Sequence, residues 1–264
     1  MSKIMGGSPK DLADILRAGA GKLKSRRTAA IIVAGGTGSR MGTDVPKQFL
    51  ELCGMPVVVH TMRAYEESEY IDAIYVVARD EDVNDGIYEE YADKFSIAKF
   101  RKCVSGGKTR QESVLKGIEA LDDDIKFVAI ADAARPLTTP ELINSVCLAA
   151  YRYSAASAGC PAVDTIKTVD NHKFITGTVE RSTAWQAATP QAFSLPLYRA
   201  AAYSALDSGF ECTDDNSLVE RIERRIKFID CGRYNIKITE PLDLLIAETI
   251  LSARKDIFKE EAVK

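Results

Sequence analysis

AAIIVAGGTGSRMGTDVPKQFLEL, residues 29–52, is the stretch on which the reading of the fold turns. It opens with Ala29-Ala30-Ile31-Ile32-Val33-Ala34, apolar without alternation, the pattern of a central strand in a parallel sheet covered on both faces. The run stops at Gly35-Gly36-Thr37-Gly38-Ser39-Arg40. Three glycines in four residues permit positive φ and let backbone N–H groups approach an anion with no Cβ in the way. Arg40 and Lys47 then add two positive charges. A glycine loop at the carboxyl end of a buried strand, followed by cations, is a means by which an α/β sheet holds a polyphosphate.

Spacing excludes two better-known phosphate loops. A G-x-G-x-x-G dinucleotide fingerprint running through Gly36 and Gly38 would need a third glycine at position 41, where Met41 stands. Ser105-Gly106-Gly107-Lys108-Thr109 has the tail of a G-x-x-x-x-G-K-[ST] loop, but Lys102 occupies the place of its first glycine.

Working outward, 264 residues suffice for one large α/β domain, or for one domain with an excursion. An apolar fraction of 46% and a charged fraction of 28% are those of a globular protein. A formal net charge of −3 supplies no overall basic field for nucleic acid, so any anion site must be local. The six cysteines, Cys53, Cys103, Cys147, Cys160, Cys212 and Cys231, form no C-x-x-C, and His60 and His172 are the only histidines. That pattern argues against structural zinc and against a disulfide framework, and for reduced thiols. No apolar run approaches a membrane span of about 18 residues, and the N-terminus has no apolar stretch suited to secretion. The expectation is a cytoplasmic protein with neither a nucleic-acid nor a membrane partner.

From residue 29 onward, strand and helix patterns alternate as in a mostly parallel sheet. Helices are expected over 56–67, 82–94, 109–121, 140–153, 196–206, 214–221 and 241–253, and strands over 29–34, 73–78, 99–104, 127–131, 156–162 and 226–230. Residues 163–188 break this rhythm. Two short alternating pieces, 164–169 and 174–179, joined through Asp170-Asn171-His172-Lys173, signal a hairpin where a helix was due. A two-stranded ribbon cannot bury both of its faces alone, and a partner subunit is the natural cover. Residues 1–28 read as an appendage with a short amphipathic helix over 9–23, residues 29–254 as the domain carrying the 163–188 arm, and residues 255–264 as a tail.

Five polar clusters fall at strand ends or where the ribbon begins and closes: 35–47, 106–113, 132–135, 164–167, and 181–191 with Lys237 beyond. The carboxyl ends of parallel strands share one edge, so the first three should converge. Arg40, Lys47 and Arg135 around one crevice require anionic compensation, which a nucleoside triphosphate with a divalent ion would supply. Asp132 with Arg135 is equally readable as an ion pair closing a loop, and Asp164 with Lys167 as a cross-strand pair.

AGGTGSRMGTDVPKQF, GGKTRQESV, DAARP, VDTIK, ERSTAWQAATPQAF, TDDNSLVE and NIKIT, in this order and spacing, resemble the 2-C-methyl-D-erythritol 4-phosphate cytidylyltransferases over residues 29–253. The resemblance implies a single Rossmann-like α/β domain with a mostly parallel central sheet and a protruding β-ribbon dimerisation arm. It implies transfer of a cytidylyl group from CTP to methylerythritol phosphate, with Mg²⁺ and release of pyrophosphate, in a homodimer joined through the 163–188 arm. Carried over position by position, Gly36, Gly38, Arg40 and Lys47 would hold the triphosphate. Ala34, Gly35, Gly107 and Ser113 would frame the cytosine, and Asp132 and Ala133 would reach the ribose. The acceptor would meet Arg135, Thr165 and Lys237, with Arg181 and Thr213 brought in by the ribbon of a second subunit. Arg40, Lys47, Arg181 and Lys237 would be the catalytic set. No protein ligand for Mg²⁺ is implied beyond Asp132 as a candidate.

Three departures stand out. Gly35 replaces a usual alanine, which together with PKQFLEL is similar to the pentitol-phosphate cytidylyltransferases and makes ribitol 5-phosphate the rival acceptor. Asn216 also replaces a usual alanine, near the expected acceptor site, and the N-terminal appendage has no counterpart in the family core. DAARP and VDTIK are closer to the methylerythritol enzymes.

Overall fold

The computed structural model describes residues 26–36, 41, 42 and 45–261, with 254–261 as backbone only. The expected helix over 9–23, and with it Gly38 and Arg40, lies outside the described residues.

The described elements open with β1 (Thr28–Val33), a 3-10 turn (Lys47–Phe49) and the small hairpin β2 (Glu51–Leu52) and β3 (Met55–Pro56). There follow α1 (Val57–Glu67), β4 (Ala73–Ala78), α2 (Asp80–Asn84), α3 (Ile87–Lys94), β5 (Phe100–Ser105), α4 (Arg110–Glu119), β6 (Phe127–Asp132), α5 (Pro140–Tyr153) and β7 (Ala155–Pro161). The arm hairpin is β8 (Lys167–Val169) and β9 (Ile175–Thr178). Last come β10 (Trp185–Ser194), α6 (Leu195–Asp207), α7 (Asp215–Arg221), β11 (Lys227–Asp230) and α8 (Pro241–Glu261).

Seven strands form the central sheet in the order β11-β7-β10-β6-β1-β4-β5. All run parallel except β10, which lies antiparallel between β6 and β7. β1 is central, as its unbroken apolar run requires, and period 2 divides its side chains between two cores. Ala30 and Ile32 pack with Val58, Met62, Tyr88 and Ile143 on one face. Ala29 and Ile31 pack with Val114, Ile118, Tyr198 and Leu218 on the other. These isoleucines are fully buried, each contributing about 1.5–3 kcal/mol. A third cluster, including Leu52, Val57, Leu137, Ile238 and Ala247, seats α8 over the β2–β3 hairpin.

Three features differ from the sequence reading, the first being that α8 runs on to Glu261, into the 255–264 stretch read as a tail. The helix expected over 82–94 is two helices, because Gly86 takes φ +66 between α2 and α3 and ends the first. β10 was not foreseen: Thr189, Pro190 and Gln191 disguise a buried strand as a polar loop. The chain therefore re-enters the sheet at Trp185, inside the interval 163–188 read as arm, and the paired part of the ribbon is β8 with β9. Phe174 and Ile175 stand at 72% and 66% exposure near its tip. Trp185 stacks on Phe228, with ring centroids 5.4 Å apart, at the arm's base.

Candidate active site

The carboxyl ends of β1, β4, β5 and β6 lie side by side, and the segments leaving them wall a cleft of about 520 Å³. The described parts of the first three polar clusters converge, although Arg135 pairs with Asp132 without itself lining the cleft. Ala34, Gly35, Gly36, Lys47, Gly107, Ser113, Asp132, Ala133 and Lys237 all line this cleft.

The first wall is fixed from beneath. Buried Gln48 donates through Nε2 to the Ala34 carbonyl (2.9 Å), pinning the chain where β1 gives way to the glycine loop. Neighbouring Lys47 donates through Nζ to the Ile238 carbonyl (2.9 Å). The second wall is a capped helix start. The Thr109 hydroxyl accepts from the Glu112 N–H (3.1 Å), while the Glu112 carboxylate accepts from the Lys108 N–H (2.7 Å), so residues three and four apart close the turn on each other. Ser113 Oγ accepts the Gly107 N–H (3.0 Å) and donates to the Thr109 carbonyl (2.8 Å). A Cβ at Gly107 would lie 2.3 Å from Glu112 Cβ, so this close approach needs glycine.

Asp132, the last residue of β6, forms the floor. Its Oδ2 faces Lys237 Nζ at 3.1 Å and Arg135 Nε at 3.3 Å, and its Oδ1 faces Arg110 Nε at 3.7 Å. Its backbone N–H donates to Thr189 Oγ1 (3.1 Å). Burial works to raise the pKa of this carboxyl, but Lys237, Arg110 and Arg135 outweigh it and hold the group below the usual aspartate range. It stays an anion among cations. The two sequence readings of Asp132 with Arg135 thus coexist, since the ion pair forms at the edge of the cleft that Asp132 lines.

Arg135 reaches further, donating through NH1 to the Asn235 carbonyl (2.6 Å). Asn235 is itself buried, accepting from Thr138 and donating to the Thr189 carbonyl. The Ile238 N–H donates to the Ala134 carbonyl (2.8 Å). These bonds lace NIKIT onto the turn after β6 and so deliver Lys237 to Asp132.

The remaining expected site residues lie elsewhere. Arg181 donates to Thr165 Oγ1 (2.7 Å), both exposed, and neither lines the cleft of its own chain. Thr165, read with the cleft side, is therefore physically a partner of Arg181 on the arm. Thr213 is exposed, one residue before Asp214, which caps α7. Asn216 is buried, donating through Nδ2 to Ser157 Oγ on β7 (2.9 Å), and it does not line the cleft. The Asp164–Lys167 pair is not formed, and Lys167 donates to Thr178 Oγ1 instead.

Sequence reasoning left out Gln48, Thr189, Asp215 and Asn235, and gave Arg110 no role. Arg110 sat in view within GGKTRQESV, but its partner Asp215 is far along the chain and no spacing rule joins them.

Asp132 offers its two oxygens to three cations, an arrangement that does not suit a resident Mg²⁺ ligand, and the described residues include no group of three or more carboxylate, histidine or cysteine side chains able to hold a metal ion. Among the described residues no helix is long and apolar enough to cross a membrane.

The geometry of the cleft identifies no ligand by itself, and comparison with known proteins narrows the choice. The family model for 2-C-methyl-D-erythritol 4-phosphate cytidylyltransferase matches residues 28–253. A protein of that name from Caldanaerobacter subterraneus subsp. tengcongensis is 42% identical over 223 residues, covering 84% of this chain and 98% of the relative. Another, from Pelotomaculum thermopropionicum, is 38% identical over 229 residues, covering 87% and 96%. The crystal structure of 4-diphosphocytidyl-2C-methyl-D-erythritol synthase from Anaerococcus prevotii superposes with a TM-score of 0.77 at 29% identity, over 88% of this chain and 99% of that one. With the match running from the first residue of β1 well into α8 and taking in every wall of the cleft, the chain belongs to the 2-C-methyl-D-erythritol 4-phosphate cytidylyltransferase family.

Proposed function

We propose that this protein transfers the cytidylyl group of CTP to 2-C-methyl-D-erythritol 4-phosphate, giving 4-diphosphocytidyl-2-C-methyl-D-erythritol and pyrophosphate, a step of isoprenoid precursor synthesis. The observation that carries the reading is Asp132 at the floor of a glycine-walled cleft, with Lys237 paired to it and Lys47 in the adjoining wall. The acceptor's phosphate oxygen attacks the α-phosphorus of CTP in line, the bond to the bridging oxygen breaks, and pyrophosphate leaves with its electrons. Two anions must meet, so the protein's work is positioning and charge neutralisation. The attacking oxygen is already ionised, and no general base is needed.

In this reading the backbone around Gly35 and Gly36, with Lys47 and with Gly38 and Arg40 beyond it, cradles the triphosphate and meets charge developing on the α-phosphate and the departing pyrophosphate. Ala34, Gly35, Gly107 and Ser113 frame the cytosine, and Asp132 and Ala133 receive the ribose. Lys237, with Arg135 behind it, draws the acceptor phosphate toward the α-phosphorus. Thr165 and Arg181 are held together on the arm, which supports their arriving as one unit from a second subunit, whereas Thr213, beside the start of α7, stands on the domain and not on the arm. Covering Phe174 and Ile175 by that subunit gives the dimer its apolar contact. Mg²⁺ arrives on the triphosphate as part of the substrate, where it offsets phosphate charge. Six free cysteines suit a reducing cytosol.

The test is pyrophosphate release with CTP and Mg²⁺, comparing methylerythritol phosphate and ribitol 5-phosphate at equal concentration. Release with the first alone is expected. Release with the second alone would move the acceptor to a pentitol phosphate, and tight CTP binding with no release on either would make the chain a silent nucleotide-binding protein.

A further inference from the structure

Arg110 lines the cleft, yet its charge is matched from outside it. NH1 lies 2.6 Å from Asp215 Oδ2, and Asp215 is 1% exposed at the start of α7. Asp215 is held from two further directions. The buried Tyr198 hydroxyl donates to its Oδ1 (2.6 Å), and its own N–H donates to Gln191 Oε1 (3.0 Å) on β10. Gln191 Oε1 also accepts the Asn216 N–H (3.1 Å), so one side chain fastens the first turn of α7 to the sheet. Burial disfavours the Arg110 charge, but Asp215 and then Asp132 raise its pKa above the ordinary arginine value, so the guanidinium is a permanent cation. Burial likewise pushes the Tyr198 phenol well up, with Asp215 adding to it, and the hydroxyl remains a donor.

The division of labour at Asp132 is informative. Lys237 and Arg135 both face Oδ2, and Arg110 alone among the described cations faces Oδ1. With Oδ2 engaged on the acceptor side, Arg110 decides the plane in which Oδ1 is presented to the nucleotide. Because Asp215 neutralises it, Arg110 adds no net charge to the cleft for a phosphate to claim. We propose that Arg110, fixed by Asp215 and through it by Tyr198, is a positioning residue that sets the Asp132 carboxylate for the ribose of CTP. This rests on the cytidylyltransferase reading and extends it to a chain of side chains none of which is needed for the displacement itself.

The test uses the full-length protein and three variants. Asp215→Asn keeps the shape and the Tyr198 contact while removing the charge that aims Arg110. Its KM and calorimetric Kd for CTP should rise about tenfold, with kcat and the acceptor KM within about twofold of the parent. Tyr198→Phe, one link further out, should raise the CTP KM by about two- to threefold. The double variant Arg110→Met/Asp215→Asn buries no unpaired charge, so its thermal stability should approach that of the parent while the CTP KM stays raised. A double variant with parental stability and parental CTP KM would overturn the proposal, leaving the pair a purely structural bridge. So would an Asp215→Asn protein whose CTP and acceptor KM rise by the same factor. Parental affinity for CTP separates the two levels: no CTP binding by the unaltered protein refutes the functional reading and this inference with it, whereas parental binding with unaltered variant affinities refutes this inference alone.

Discussion

Replacing Lys237 by methionine separates a structural ion pair from a catalytic cation. The Nζ to Oδ2 distance of 3.1 Å gives a gross attraction of about 5 kcal/mol at an effective dielectric of about 20. Most of that does not survive as stability. The Lys237 side chain is 37% exposed and solvent-screened, and Asp132 keeps Arg135 and Arg110 as partners, which leaves a net loss of about 1–2 kcal/mol. For a domain of this size that is a fall in Tm of about 2–8 °C. Turnover answers to a different quantity. If Lys237 meets the acceptor phosphate, its removal should cut kcat by about 10²–10³, the scale seen when one preorganised donor is taken from developing charge. The assay is pyrophosphate release at saturating CTP with the acceptor varied, alongside a thermal melt of the same sample. A Lys237→Met protein with the expected melt and turnover within about threefold of the parent would refute the reasoning, since the lysine would then serve only Asp132. Lys237→Arg should recover part of the turnover, because the charge is kept and its geometry altered.

Further outcomes follow from the same geometry. Gly107→Ala places a Cβ 2.3 Å from Glu112 Cβ, so the turn must open; the CTP KM should rise by about tenfold or more with a folded circular dichroism spectrum, and an unchanged KM would show that this turn does not frame the base. Phe174→Asp with Ile175→Asp should yield a monomer in sedimentation, with turnover that no longer rises with protein concentration; a dimer at parental affinity would refute the arm as interface. The Asp132 carboxyl is held below its unfolded pKa of about 4, since Lys237, Arg110 and Arg135 outweigh burial, and a lowered folded pKa means stability present above about pH 4 and lost as pH falls through the folded value. Melts of Asp132→Asn from pH 7 downward should therefore start lower and decline less steeply in acid than the parent, and parallel curves would show that the cage contributes nothing to acid stability.

The candidate cleft was legible in outline because it is made of strand ends. An apolar run such as Ala29 to Ala34 announces a central strand, parallel strands put their carboxyl ends on one edge, and the residues just past each run must then meet. Gly35, Gly107 and Asp132 were found that way, and the structure brings them to one cleft. Illegible were the parts whose partners lie far apart in the chain. Gln48 and Asn235 are buried amides satisfied by backbone carbonyls, and their polarity reads locally as exposure. β10 was lost for a related reason: Thr189 and Gln191 point inward to Asp132, Asp215 and Asn216, so a strand at the middle of the sheet carries the composition of a loop. Asn216, a departure from the family read as bearing on the acceptor, has its side chain buried against Ser157 and does not line the cleft, so any bearing it has must pass through α7.

The position of β10 also has a bearing on the order in which the chain can assemble. In the sheet order β11-β7-β10-β6, β7 and β11 join the other strands only through β10, which is made after the arm. On the ribosome, β1, β4, β5 and β6 can close as a parallel unit as soon as β6 has emerged, because their pairings need nothing later. β7 has no such option. It must wait, edge unpaired, until the arm has been synthesised and Trp185–Ser194 returns to lie between it and β6. The arm, proposed above as a contact between subunits, stands in the chain as a spacer between β7 and the strand that joins it to the sheet.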